Sequence, residues 1–179
     1  PTGLVETETW LQEIGKYFHK EDKAAELIQQ EKARFHKDLG VLRPFLAGKR
    51  VIINTLDKDI AWLVDIIEQA EMVLQAINIF TLIPEDGKGR SEDNLGISHR
   101  PGLTMKKRAS LTEIEEQVKE AKPQLCLSFY PLELDLPGTA FSTIPMVPRA
   151  GVNGALGIVK EWARLLRSSK LKMQSVKLR

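Results

Sequence analysis

Hydrophobic positions along this chain change period near Gly48. Before it they recur at helical intervals: Thr9-Trp-Leu-Gln12 has the spacing of a capping box, and Leu11, Ile14, Tyr17 and Phe18 follow three or four apart. Gly15 and the polar run His19-Lys20-Glu21-Asp22 weaken that continuity. A second helix is predicted from Lys23 to Asp38, with Leu27, Ile28 and Phe35 on its inner face; Gly40 and Pro44 then punctuate the chain.

From Lys49 onward short apolar bursts alternate with amphipathic stretches. Arg50-Val-Ile-Ile-Asn54 reads as a strand buried in a parallel sheet, and Asp57 is placed to cap a helix striped by Ile60, Leu63, Val64 and Ile67. Val73 to Leu82 is a second strand region. Ser110-Leu-Thr-Glu113 is a capping box ahead of Ile114, Val118 and Ala121, and Pro123 ends that helix. Gln124 to Phe129 and Thr139 to Ile144 complete the strands, and a last helix carries Ala155, Ile158, Val159, Trp162, Leu165 and Leu166. Strands alternating with helices imply right-handed crossovers. The expected fold is α/β: a Rossmann-like parallel sheet of about four strands flanked by helices. A helical N-terminal arm takes residues 1–47, the α/β domain 48–168 and a basic tail 169–179.

Two segments stand outside this plan. Pro84 to Ser110 is polar, glycine-rich and long for a loop, and the end of the chain holds Arg167, Lys170, Lys172, Lys177 and Arg179 without an acidic residue. The 179 residues, 42% apolar and 28% charged, suit one globular domain with a real core. A net charge of +2 does not argue for nucleic acid, and no run approaches the ~18 apolar residues that cross a bilayer. The polar, acidic first ten residues read as no secretory signal. A single cysteine, Cys126, excludes a disulfide framework and fits a reducing cytoplasm.

Familiar chemical motifs are missing from their usual places. The first strand is followed by Asn54-Thr-Leu-Asp57, not by the G-x-G-x-x-G that a dinucleotide needs, and Gly87-Lys-Gly-Arg90 lacks the spacing of a P-loop. His19, His36 and His99 stand far apart, and a lone cysteine inside an apolar strand reads as a small buried residue. Asp57 and Asp59 sit at the ligand-facing edge expected of such sheets, where helix capping explains Asp57 equally well. In Pro148-Arg-Ala-Gly-Val-Asn-Gly-Ala-Leu-Gly157 the glycines precede the last helix. They either permit a tight start and close packing, or leave the Gly151 amide and Arg149 free to meet an anion.

The ordered set of Pro1-Thr-Gly3, Thr9-Trp-Leu11, a charged helix with Glu31, Arg34 and Asp38, and Leu42-Arg-Pro-Phe-Leu-Ala-Gly-Lys-Arg-Val51 resembles nitrogenase component 1. Ala121-Lys-Pro-Gln-Leu-Cys126, Ser142-Thr-Ile-Pro145 and Gly151-Val-Asn-Gly-Ala155 are similar to later segments of the same family's C-terminal region. The resemblance implies a C-terminal domain of a nitrogenase component 1-like oxidoreductase subunit, lining a cofactor or substrate cleft and inactive when isolated. It implies partners too, namely other domains or subunits and a reductase.

The departures from that family bear on chemistry. Its cluster-bridging cysteines belong to a part that would precede this chain. Ala150 stands where its catalytic molybdenum–iron subunit carries a cluster-ligating histidine. No cofactor is therefore expected on this chain alone; an iron–sulfur or related metallocluster would belong to the full assembly. Arg149, Gly151, Asn54, Thr55 and Tyr130 are the candidate cleft-lining residues. Two other readings stay open. One is a stand-alone binding or interaction module using Lys106-Lys-Arg108, the long loop and the tail; the other is an unrelated enzyme with a small-molecule pocket at Asn54, Thr55, Phe129 and Tyr130.

Overall fold

The computed structural model describes residues 1–56, 60–80, 103–107 and 109–177, the side chains of 107 and 170–177 aside. The expected cap at Asp57, together with Asp59, His99, Arg108 and most of the Pro84–Ser110 segment, lies outside the described residues. Among the described residues ten elements follow one another: α1 (Gly3–Tyr17), α2 (Glu21–Leu46), β1 (Arg50–Leu56), α3 (Ala61–Gln69), β2 (Val73–Phe80), β3 (Thr104–Lys107), α4 (Leu111–Ala121), β4 (Leu125–Ser128), β5 (Ala140–Thr143) and α5 (Gly151–Lys177).

The strands form one sheet in the order β3-β2-β1-β4-β5, with every pair parallel. There are five strands where the apolar pattern predicts about four. Thr104–Lys107 is too short and too polar to read as a strand, yet it pairs with β2 from Ala76↔Thr104 to Ile79↔Lys107. Lysines on an edge strand also discourage further pairing, so its composition suits its place.

Both faces of the sheet are covered, unequally. Val51, Ile53, Ile77, Leu125 and Leu127 join side chains of α1, α2, α3 and α5 in the larger core, where Phe35, Leu39 and Leu46 are fully buried. On the second face, among the described residues, Ile52, Ala76 and Cys126 form a smaller buried cluster with Ala109 and the Ile114 and Val118 stripe of α4. The chain leaves β4 without a crossover helix. Instead Leu132, Leu134 and Leu136 pack on this second cluster while Glu133 and Asp135 between them are exposed, the period-two alternation of an extended strap.

Burial also moves the helix ends away from the sequence-based ones. Helix α1 starts at Gly3, with Thr2 as its cap, and not at Thr9: the Thr2 N–H donates to Glu6 Oε2 at 2.7 Å, and Thr9 Oγ1 turns back to the Val5 carbonyl at 3.1 Å. Helix α2 runs through Gly40 and Pro44 because Leu39, Leu42 and Leu46 are pulled into the core, which outweighs the local penalty of the proline. The predicted capping box at Ser110 forms in full, and Lys122 leaves α4 in a left-handed conformation. Helix α5 continues through Lys177, beyond the residue at which the tail was expected to begin. No helix among the described residues is long and apolar enough to cross a membrane.

Two of the three glycines at the start of α5 have distinct structural duties. Gly151 has φ +73, and a Cβ on Gly154 would lie 1.9 Å from the Arg149 carbonyl oxygen. The close approach predicted for this stretch is thus between the helix's first turn and its own lead-in. Gly157 has open space around it. Gly154→Ala is expected to lower stability by roughly 1–3 kcal/mol, since the lead-in must shift. Gly157→Ala is expected to raise it by about 0.5–1 kcal/mol. Urea unfolding of both variants checks the pair, and equal effects would contradict the assignment.

Candidate functional site

The chain runs from β1 outward to β2 and β3, then returns to β4 and β5 on the other side of β1. Strand order therefore reverses between β1 and β4, and ligands of open α/β sheets bind outside the carboxyl ends of strands at such a point. One register row at that end crosses all five strands: Lys106 pairs with Asn78, Asn78 with Asn54, Asn54 with Ser128, and Ser128 with Thr143. Every member is polar. The preceding row, Thr104, Ala76, Ile52, Cys126 and Phe141, is mostly apolar.

The middle of the polar row lies on the second face beneath α4 and is almost dry. Asn54 is 3%, Asn78 0% and Ser128 6% exposed. Asn78 Nδ2 donates to Asn54 Oδ1 at 2.8 Å and to Gln117 Oε1 of α4. Asn54 Nδ2 in turn donates to Cys126 Sγ at 3.2 Å. Burial pushes the Cys126 thiol up to about 12, which outweighs the opposing effect of the Asn54 hydrogen bond. It is a neutral acceptor at ordinary pH, not a thiolate.

Among the described residues three buried atoms at this end have no hydrogen-bond partner: Asn78 Oδ1, Ser128 Oγ and Thr55 Oγ1. Leaving a buried polar atom unpaired costs on the order of 1–3 kcal/mol. Thr55, one residue past Asn54, belongs by alternation to the opposite face. Beyond the row, Tyr130 packs edge-on against Phe80 at 5.4 Å and Phe129 at 5.7 Å, and the Phe129 N–H donates to the Asn54 carbonyl at 2.9 Å. The row's edge is held by Lys106 Nζ on Glu113 Oε1 at 2.7 Å. That hydrogen bond first, and then those from Ser110, hold the Glu113 carboxyl down from 4.5 to about 2.

Of the residues expected from sequence, Asn54, Thr55, Phe129 and Tyr130 come together around the end of β1. Arg149 is exposed, and no hydrogen bond or ring contact joins it to that group among the described residues. The Gly151 N–H donates to the Pro1 carbonyl at 2.8 Å, beside a bridge between Thr2 and Gly151, so that donor is already engaged. Sequence reasoning missed Asn78, Ser128 and Gln117. The available signal was a polar residue near the end of each apolar burst, at Asn54, Asn78 and Ser128. A cavity of about 370 Å³ beside Gln75 and Gln117 adjoins the row and one of about 240 Å³ lies between α1 and α2; neither is lined by Asn54, Thr55 or Tyr130.

Among the described residues no three His, Cys, Asp or Glu side chains converge, and the one cysteine is buried, protonated and already accepting a hydrogen bond. These residues do not fit an iron–sulfur centre, which takes several thiolates.

Two predictions follow from the geometry. Thr55→Val should stabilise the chain by about 1 kcal/mol by removing an unpaired hydroxyl, whereas Asn54→Leu should destabilise it by roughly 1–3 kcal/mol. Opposite shifts in the chemical-unfolding midpoint would bear this out. Glu113 has a lowered folded-state pKa, so its contribution is present in full above the unfolded value of 4.5 and lost as pH falls toward about 2. The gap in thermal midpoint between the wild type and Glu113→Gln should accordingly be constant near neutrality and close through that window.

A model of the nitrogenase component 1 type oxidoreductase family matches residues 1–167. No curated protein matches the chain. Two solved structures of nitrogenase Cp1, at pH 6.5 and at pH 5, superpose with TM-scores of 0.71 and 0.69 at 13% and 15% identity. Each comparison covers 96% of this chain but 44% and 42% of the other. At such identity the likeness is one of fold, and this chain spans less than half the length of those structures.

Proposed function

Because the chain belongs to the nitrogenase component 1 type oxidoreductase family, we propose that it serves as one α/β layer of such an oxidoreductase subunit. In this reading it corresponds to the family's C-terminal domain. The carboxyl edge of its sheet lines a cofactor or substrate cleft that other domains or subunits close, and a reductase partner delivers electrons to the assembly. The chain alone is catalytically silent.

One observation carries the reading: a buried polar row at the switch point, with three atoms unpaired among the described residues, whose side chains do not fit a cluster. Hydroxyl and amide groups of this kind orient a bound group and exclude water around it, and they cannot supply thiolate ligation. Asn54 and Asn78 fix the row, Thr55 and Ser128 offer hydroxyls that have no partner among the described residues, and Tyr130 with Phe129 forms the apolar rim. In this reading Arg149, exposed just before α5, meets an anionic group across the cleft, and Gly151 shapes that corner. Cluster ligands then come from elsewhere in the assembly; the exposed Ala150 is consistent with that division. Family membership favours this reading over a stand-alone interaction module.

Anaerobic expression with iron and sulfide supplied, followed by gel filtration and measurement of both elements per chain, tests the proposal. The expected result is no tightly bound iron. Stoichiometric iron and sulfide on the isolated chain would overturn it.

A further inference from the structure

The cavity of about 370 Å³ on the second face lies between the first half of β2 and the carboxyl half of α4. Ala76 comes to it from the sheet and Ala121 from the helix, side chains too short to fill the space between those elements. A helix seated on a sheet ordinarily closes such a gap with branched aliphatic side chains. The volume falls within the ~300–1,000 Å³ of small-molecule pockets.

Two amides and a hydroxyl make up its polar lining: Gln75, Gln117 and Thr104. Gln75 is there because β2 carries a bulge. Val51 pairs with Leu74 and Ile52 with Ala76, which leaves Gln75 as the extra residue. Bulges re-aim a side chain that regular alternation would send elsewhere. Gln75 Oε1 is buried and has no hydrogen-bond partner among the described residues. The terminal amide of a glutamine turns readily about its last bond, and that rotation brings the acceptor to the cavity. Gln117 stands four residues before Ala121, on the same side of α4. It spends Oε1 on Asn78 Nδ2, which leaves the two protons of Nε2 as donors. One wall thus offers an acceptor and the other offers donors, above a floor that includes Ile52.

We infer that this cavity binds a small neutral molecule carrying a carboxamide or lactam edge on an apolar body. The ligand's N–H donates to Gln75 Oε1, its carbonyl accepts from Gln117 Nε2, and its body lies against Ile52, Ala76 and Ala121. Among the described residues no ionisable side chain lines the cavity, so a charged ligand would lose water without gaining a counter-ion. A carboxylate also has no N–H for Gln75, and a hydrocarbon leaves both amides unmet. The site lies on the amino side of the polar row, and the inference is independent of the proposed oxidoreductase role.

The test follows the side-chain amide resonances of the isotope-labelled full chain during titration with benzamide and, separately, with benzoate. The two compounds have nearly the same shape and differ in charge and in the N–H. Benzamide is expected to shift the Gln75 and Gln117 signals along a saturable curve, and benzoate at the same concentrations to shift neither. Gln75→Leu should weaken benzamide about tenfold, read at Gln117. Ala121→Phe fills the cavity from the helix side and should abolish the saturable shift, with the fold of both variants checked by circular dichroism. Gln75→Leu decides the question by itself if the larger ring disturbs α4. Absence of any saturable shift with benzamide overturns the inference, as does undiminished binding by either folded variant. Equal affinity for benzoate overturns the assignment of a neutral amide.

Discussion

Strand β1 is hydrogen-bonded on both edges and buried on both faces, and that double enclosure is the constraint from which the other elements take their places. Val51 and Ile53 anchor four helices on one side, while Ile52 supports α4 on the other. A strand so enclosed must satisfy any polar side chain from within. Asn54 does so by accepting from Asn78 and donating to Cys126, across one neighbouring strand and then the other. The hydrogen bonds that allow an amide in the middle of the sheet therefore also lock the relative positions of β2, β1 and β4. Structure and candidate site share the same bonds.

Most of this architecture was legible from periodicity. The apolar runs of β1, β2 and β4 and the Ser110 capping box are strong local signals, and the structure follows them closely. Failures came where tertiary burial outweighed local preference. Pro44 stays inside α2 because Leu42 and Leu46 on either side of it are buried. Strand β3 escaped notice because an edge strand needs no apolar alternation, only a neighbour with free backbone groups, and Thr104-Met-Lys-Lys107 gives no clue that β2 is there.

The candidate site was legible only in part, for a related reason. Asn54 and Thr55 stand out as polar residues at the end of an apolar burst, and Tyr130 as an aromatic just past another. Asn78 and Ser128 carry the same signal, but their importance depends on register, which no single segment encodes. Only pairing Asn54 with Asn78 on one side and Ser128 on the other turns three scattered polar residues into a row. Family membership fits this picture, since the fold and the order of elements persist at low identity.

The missing crossover helix between β4 and β5 gives the molecule a soft side. On the larger face α1 packs against α2, α3 and α5, and α2 packs against α5, so opening one helix bares side chains of its neighbours. Among the described residues the other face rests on one eleven-residue helix and the strap of Leu132, Leu134 and Leu136. Low contact density of this kind lowers the free energy of local opening. Peeling away α4 and the strap would bare the amide pair of Asn54 and Asn78 and the Cys126 thiol while the rest of the core stayed shut. Amide-exchange protection should thus fall into two tiers divided by the plane of the sheet, with the buried thiol changing tiers whenever the thinner cover lifts.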